Sequence, residues 1–307
     1  MERQVTESFR HWINFKQYRT SKWRYSILRK LSKKSLPMFF RGGDIISIDP
    51  IVNGVYEPDI KALIDHFAGN GLNDFLLDIG ANIGLSSCQS GRKFKEIHLF
   101  EPNPNCISIL KINANIALRG TEYTIHEYGL GAKSETLQLY VPFDNWGGAF
   151  VMSSENEYDE SLLSLKDGFG KFNRDNYDVL PVQIESAGIV FTRLFADLRS
   201  RGRARGVIKV DAEGYEKYII KTLLSVKPKD IECGIVFENW KNQVNVADYF
   251  PDLSVAGHLF RLNSNKTMFP KAPRWVNSLA NFLRGGFPVE LDEVSGELTG
   301  GTYLLLA

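Results

Sequence analysis

Phe75-Leu-Leu-Asp-Ile-Gly-Ala-Asn-Ile-Gly84 joins a short apolar run to a turn that holds two glycines. The run is bounded by Asp74 and Gly80 and shows no alternation of polar and apolar residues. It reads as a parallel strand buried on both faces. A helix is expected to open near Ile83 and to continue through Cys88. Gly80 permits a tight turn with close backbone approach, and Gly84 lets the following helix pack near the strand. In sheets built from such units, ligands sit beyond the carboxyl ends of the strands.

Working outward, residues 97–100 form a second short strand, closed by Glu101-Pro-Asn-Pro104. Residues 106–118 carry apolar positions at helical spacing, and residues 123–128 supply a third strand. Residues 136–141 alternate and predict a hairpin, followed by a long excursion over 142–180 that contains Asn145-Trp-Gly-Gly148. Further strands are read at 206–210, 232–237 and 302–306, with a helix at 215–224 between the first two. Alternating strands and helices predict an α/β fold. The sheet is expected to be Rossmann-like, mostly parallel and doubly wound, with a final C-terminal strand. The chain divides into a basic, helical N-terminal arm over 1–41 and a catalytic body over 42–307, with a loop or hairpin insertion at about 134–180.

The turn has the spacing G-x-x-x-G, not the G-x-G-x-x-G that cradles a dinucleotide pyrophosphate. Glu101 stands at the end of the second strand, where a carboxylate can accept hydrogen bonds from both ribose hydroxyls. A nucleoside cofactor without a phosphate, such as S-adenosylmethionine, suits both features. Asp78 would then face the cationic portion of the cofactor or a bridging water, and backbone N–H groups would receive the cofactor's carboxylate. The bland reading makes Asp78 part of an Asx turn and Glu101 a solvated strand end.

Val207-Ile-Lys-Val-Asp-Ala-Glu-Gly-Tyr-Glu216 places Lys209, Asp211 and Glu213 at alternate positions around another strand end. Charges on an apolar parallel strand are costly unless paired or functional. An ion pair between Lys209 and Asp211 that merely holds the turn is the structural alternative.

Residues 75–84 (FLLDIGANIG), Phe100-Glu-Pro-Asn-Pro104, Asn113 with Asn115, and residues 208–216 (IKVDAEGYE) together resemble the FkbM-type methyltransferases. The resemblance covers roughly residues 50–240 and the final strand. It implies a class I methyltransferase fold, S-adenosylmethionine as cofactor, and O-methylation of a sugar hydroxyl in a glycan, glycolipid or glycosylated natural product. By the motif match Asp78, Gly80, Ala81, Asn82 and Gly84 form the cofactor turn, with Glu101 on the ribose and Asn103 beside it. Tyr128 and Gly129 fall where such folds hold the adenine. Asp211 and Glu213, with Lys209, carry over as signature residues whose chemical role the resemblance leaves open.

A sugar hydroxyl does not ionise in neutral water, so a base or a metal is required. Asp211 and Glu213 are candidates for the base. Asp211, Glu238 and Asn239 offer an alternative set of oxygen ligands for Mg²⁺. Trp146 is read either as a platform for a sugar ring or as an apolar plug. The five histidines show no paired spacing, and His98 and His126 read as strand residues. A catalytically idle module that keeps the cofactor fold for assembly is the alternative function.

Composition limits the remaining classes. Three widely spaced cysteines, Cys88, Cys106 and Cys233, give no zinc or disulfide pattern. A cytoplasmic protein without a secretory signal is expected. The net charge of +1 conceals a division: residues 1–41 carry +9, which leaves −8 on the rest. The arm mixes its eleven Lys and Arg with aromatic residues, a pattern that fits contact with the inner face of an anionic membrane. Packing on the body or on a second copy, as a homodimer, is the alternative. The acidic body argues against nucleic acid as a partner.

Overall fold

The computed structural model describes residues 23–30, 33, 36–152, 156, 173–239, 244–250, 257–264, 272–284 and 288–307. Most of the expected arm therefore lies outside the described residues; within it, residues 23–30 are helical. The main elements before the excursion are α1 (Pro58–Gly69), β1 (Phe75–Ile79), α2 (Leu85–Ser90), β2 (Glu96–Phe100), α3 (Pro104–Ala117), β3 (Glu122–His126), β4 (Gly129–Gly131), β5 (Glu135–Pro142) and β6 (Phe150–Val151). After it come β7 (Tyr177–Ser186), α4 (Ala187–Ser200), β8 (Arg205–Val210), α5 (Glu216–Val226) and β9 (Glu232–Asn239). The chain closes with β10 (Val244–Asn245), β11 (His258–Ser264), α6 (Arg274–Arg284), β12 (Val289–Glu293), β13 (Glu297–Leu298) and β14 (Gly301–Leu306).

Eight strands form the central sheet in the order β12-β11-β14-β9-β8-β1-β2-β3. The strands from β9 to β3 pair in parallel, whereas β14 inserts antiparallel between β9 and β11. This is the α/β, mostly parallel, doubly wound sheet with a final strand that the alternation predicts. Strand periodicity divides the core between the two faces. Phe75, Leu77 and Ile79 join Ile208 and Val210 beneath α4 and α5, while Leu76 joins Val207, Ile97 and Leu99 beneath α1 and α3.

Of the expected excursion over 142–180, residues 153–155 and 157–172 lie outside the described residues. Its last residues belong to β7, which pairs antiparallel with β5 over eight residues and parallel with β4. The result is a second sheet, β4-β7-β5-β6, packed on the α4–α5 face. The predicted third strand ends two residues early, at His126, and residues 129–131 beyond it pair in the second sheet. Residues 36–41, grouped with the arm by charge, reach the body. The Phe39 N–H donates to Asn113 Oδ1 at 2.7 Å, and Asn113 Nδ2 donates back to the Phe39 and Ile83 carbonyls. Among the described residues no helix is long and apolar enough to cross a membrane.

Candidate active site

The carboxyl ends of β1, β2, β8 and β9 open into a cavity of about 360 Å³, within the usual size of small-molecule sites. Its floor is the predicted turn. Gly80 has φ +82°, and a Cβ there would lie 1.8 Å from the carbonyl oxygen of Asp211. Only glycine lets the end of β1 pass so close to the end of β8. Asn82 also takes a left-handed backbone, at φ 51°. The Gly80 and Ala81 amides both donate to the Phe100 carbonyl, so they brace β2 rather than wait for a ligand's carboxylate.

Asp78 is not itself part of the cavity lining; it is 1% exposed and accepts from the Ser87 hydroxyl at 2.5 Å. It stands directly across from Lys209 in the β1–β8 register, with its carboxylate 3.9 Å from the ammonium. Burial raises the Asp78 pKa against the pull of Lys209. Gly84 likewise serves packing, since a Cβ there would meet Leu110 at 2.8 Å.

Glu101 sits where the sequence places it. It is buried at 6% exposure and lines the cavity. The Asn82 amide donates to Oε2 at 2.7 Å and the Asn103 amide to Oε1 at 2.8 Å. Each oxygen keeps a second lone pair, so the fixed carboxylate can still accept from two hydroxyls. Burial outweighs these two bonds and pushes its pKa up to about 7. Asn103 contributes that amide and caps α3 through its own side chain, without lining the cavity. Beyond Glu101, Pro102, Gly129, Leu130 and Ile184 wall an apolar slot. Gly129 is thus at the cavity, but Tyr128 is not; its hydroxyl lies 3.1 Å from His126 Nδ1.

The other end of the cavity is charged. Lys209, Asp211, Glu213 and Glu238 all line it. Lys209 is buried and its ammonium donates to Asp211 Oδ2 at 2.8 Å. Burial disfavours the ammonium, but Asp211, Asp78 and Glu57 more than restore its charge. Both the paired and the functional readings of this corner therefore apply to the same residues. Glu216 holds the corner's shape by accepting from the Ala212 and Gly214 amides at 3.0 and 2.9 Å. Glu213 takes a left-handed backbone at φ 39° on this turn. Asn239, by contrast, does not reach the cavity: its amide donates to the Thr299 carbonyl at 3.1 Å. The oxygen set expected for Mg²⁺ is therefore not gathered on one face. Among the described residues, no group of three or more His, Cys, Asp or Glu is placed to hold a metal ion.

Three contributions have no counterpart in the motif reading. Tyr56 and Glu57, just before α1, line the charged end. Residues 145–151 roof the cavity, with Trp146 packed on Ile46 and Leu85 below and Arg41 stacked on its ring at 4.2 Å. His98 and His126, unpaired in sequence, are neighbours across β2 and β3, 3.1 Å apart and stacked. This pair lies outside the cavity lining. The one visible hint for Glu57 is its position: a carboxylate immediately before Pro58, at a helix start.

The cavity residues fit S-adenosylmethionine. Glu101 suits a ribose, the slot beside Gly129 suits a flat base, and the surplus of carboxylates over Lys209 suits a cationic sulfonium and ammonium.

Comparison with known proteins agrees. A family model described as the Methyltransferase FkbM domain matches residues 78–253, more than half of the chain. The chain is 28% identical over 180 residues to "Methyltransferase sdnD" of Sordaria araneosa, a match that spans 55% of this chain and 67% of that protein. Among solved structures, it is similar to cofactor-bound Rv0187 from MTB, with 12% identity, TM-score 0.35, and 92% of this chain and 88% of that one covered. A putative O-methyltransferase from Klebsiella pneumoniae gives 12% identity, TM-score 0.33, and coverage of 92% and 89%. Scores this low carry no weight for activity. The family match does: it runs through the turn, Glu101 and the charged corner, and this chain belongs to the FkbM methyltransferase family, as an S-adenosylmethionine-dependent methyltransferase.

Proposed function

We propose that this enzyme methylates a hydroxyl oxygen on a sugar, carried by a glycan, a glycolipid or a glycosylated natural product. One observation carries the reading: the carboxylates of Glu57, Asp211, Glu213 and Glu238 share the wall of one cavity with the indole of Trp146. Aromatic faces pair with the apolar face of a sugar ring, while carboxylates accept from its hydroxyls.

The cofactor, when bound, supplies an electrophilic methyl group. Glu101 and the slot around Gly129 and Leu130 would hold its nucleoside, and the excess negative charge near Asp211 and Glu238 would hold its cationic end. The protein's task is then to position the acceptor oxygen and to remove its proton. Trp146 and the rest of residues 145–151 line the same cavity. Lys209 orients Asp211 by donating to its Oδ2.

The test is to incubate the enzyme with methyl-labelled S-adenosylmethionine and a panel of monosaccharides, nucleotide sugars and glycolipids. The expected result is a labelled methyl ether, identified by NMR of the product. Transfer to nitrogen, carbon or a carboxylate in place of a sugar oxygen would sink the reading.

A further inference from the structure

Glu57 is unusual in three respects. It is the residue before α1, yet its side chain makes no capping hydrogen bond to that helix. Its backbone is left-handed, at φ 42° and ψ 69°, a conformation that is strained for a residue with a Cβ. Its Oε2 is buried without a hydrogen-bond partner. The carboxylate has thus given up the cap its position offers, on a strained backbone, to enter the wall of the cavity. Backbone strain of this kind persists where the surrounding structure holds it, and it clusters at working sites.

Its neighbours define its chemistry. The Tyr56 hydroxyl lies against it, Lys209 and Asp211 face it from the end of β8, and Glu238 faces it from the end of β9. Lys209 is closest to Asp211, which claims its ammonium at 2.8 Å. Asp211 is therefore a neutralised carboxylate and a poor base, whereas Glu57 has no cation within ion-pair distance among the described residues. Burial, then repulsion from Asp211 and Glu238, outweigh Lys209 and push the Glu57 carboxyl up to about 8. A base with that affinity for protons is well matched to neutral or mildly alkaline conditions.

We propose that Glu57 is the general base that takes the proton from the acceptor hydroxyl, with Lys209 and Asp211 as positioning residues. The proposal rests on the O-methyl transfer proposed above. As the O–H proton passes to the Glu57 carboxylate, the acceptor oxygen forms its bond to the methyl carbon. The electron pair of the broken S–C bond returns to sulfur, which leaves as a neutral thioether. Glu57 then yields its proton to solvent.

The experiment compares the wild-type chain with Glu57→Gln and Glu57→Asp, using S-adenosylhomocysteine as the binding probe and the sugar panel as the turnover probe. In infrared titration of the wild type, a carboxyl that ionises near pH 8 is expected in addition to the Glu101 step near 7; Glu57→Gln should lack the step near 8 and keep the other. S-adenosylhomocysteine affinity should stay within twofold in both variants. Turnover number should fall at least about 100-fold in Glu57→Gln, the low end for loss of a general base. Glu57→Asp should recover part of it, and wild-type turnover should rise with pH to a plateau above about 8. A tenfold loss of S-adenosylhomocysteine affinity in Glu57→Gln would make the residue a cofactor ligand and overturn the proposal. So would unchanged turnover, or a carboxyl titration identical to wild type. A wild type that methylates no sugar in the panel would sink the acceptor reading instead, while the infrared and binding results still decide for or against Glu57.

Discussion

The two ends of the cavity are built on different plans. At the nucleoside end, residues 78–84 and 101–103 act mainly through backbone: Gly80, Ala81, Asn82 and Asn103 amides fix the turn and clasp Glu101. At the charged end, side chains from three distant places converge: Glu57 before α1, Lys209 and Asp211 at the end of β8, and Glu238 on β9. The first plan tolerates little variation, because backbone positions are fixed by the sheet. The second can be retuned residue by residue, which suits the end that selects a substrate.

The sharpest break in this comparison should come from Gly80→Val. A Cβ 1.8 Å from the Asp211 carbonyl, on a left-handed backbone, forces β1 and β8 apart. The expected loss exceeds about 4 kcal/mol, the range in which single substitutions unfold marginal proteins. Circular dichroism melting and soluble yield will show it; near-wild-type melting would mean the turn is adjustable after all.

Lys209→Met comes next. It leaves Asp78 and Asp211 facing each other's charge, with Asp78 fully buried. Removing one partner of a buried pair typically costs ~3–5 kcal/mol, and the partial exposure of Asp211 puts the expectation at the low end. Urea unfolding checks it. A loss of turnover with unchanged stability would move Lys209 from the frame of the site to its chemistry.

Glu101→Ala tests the nucleoside end alone. S-adenosylhomocysteine binding, measured by calorimetry, should weaken by about 1.5–3 kcal/mol, the scale of hydrogen bonds to a charged group. The Glu101 carboxyl, pushed up to about 7, must be ionised to accept from both ribose hydroxyls. Wild-type affinity should therefore fall as pH is lowered through 7, and Glu101→Ala should lose that dependence. Equal binding by both proteins would detach Glu101 from the cofactor.

The smallest effect concerns the edge of the sheet under the nucleoside end. Burial holds His98 and His126 down at about 4 each, aided at His98 by Arg201 and at His126 by His98 itself. The unfolded chain takes up protons at these rings near 6.5, while the folded chain stays neutral until about 4. Stability should thus fall as pH drops from about 6.5 to about 4. The double variant His98→Gln with His126→Gln should show a flatter dependence in urea titrations; an unchanged slope would place the acid sensitivity elsewhere.

Much of the frame was legible in residues because it depends on neighbours in the chain. The apolar run, the two glycines and Glu101 lie within 27 residues, and all three fall where periodicity and turn chemistry put them. The misreadings share one cause, distance. β7 was hidden because its partner β5 lies about 40 residues earlier and because Pro181 interrupts its pattern. The direction of Asp78 followed from which face of β1 meets Lys209, a matter of pairing with β8. Asn239 was grouped with Glu238 although strand alternation sends them to opposite sides.

By itself the sequence determined the strand–turn–helix unit, the mostly parallel α/β sheet and the position of Glu101 at a strand end, because these rest on local backbone geometry and side-chain period. Only the tertiary structure decided which carboxylates share the charged end, which of them Lys209 neutralises, and that Glu57 joins them. A carboxylate's basicity depends on burial and on the charges facing it, and topology sets both.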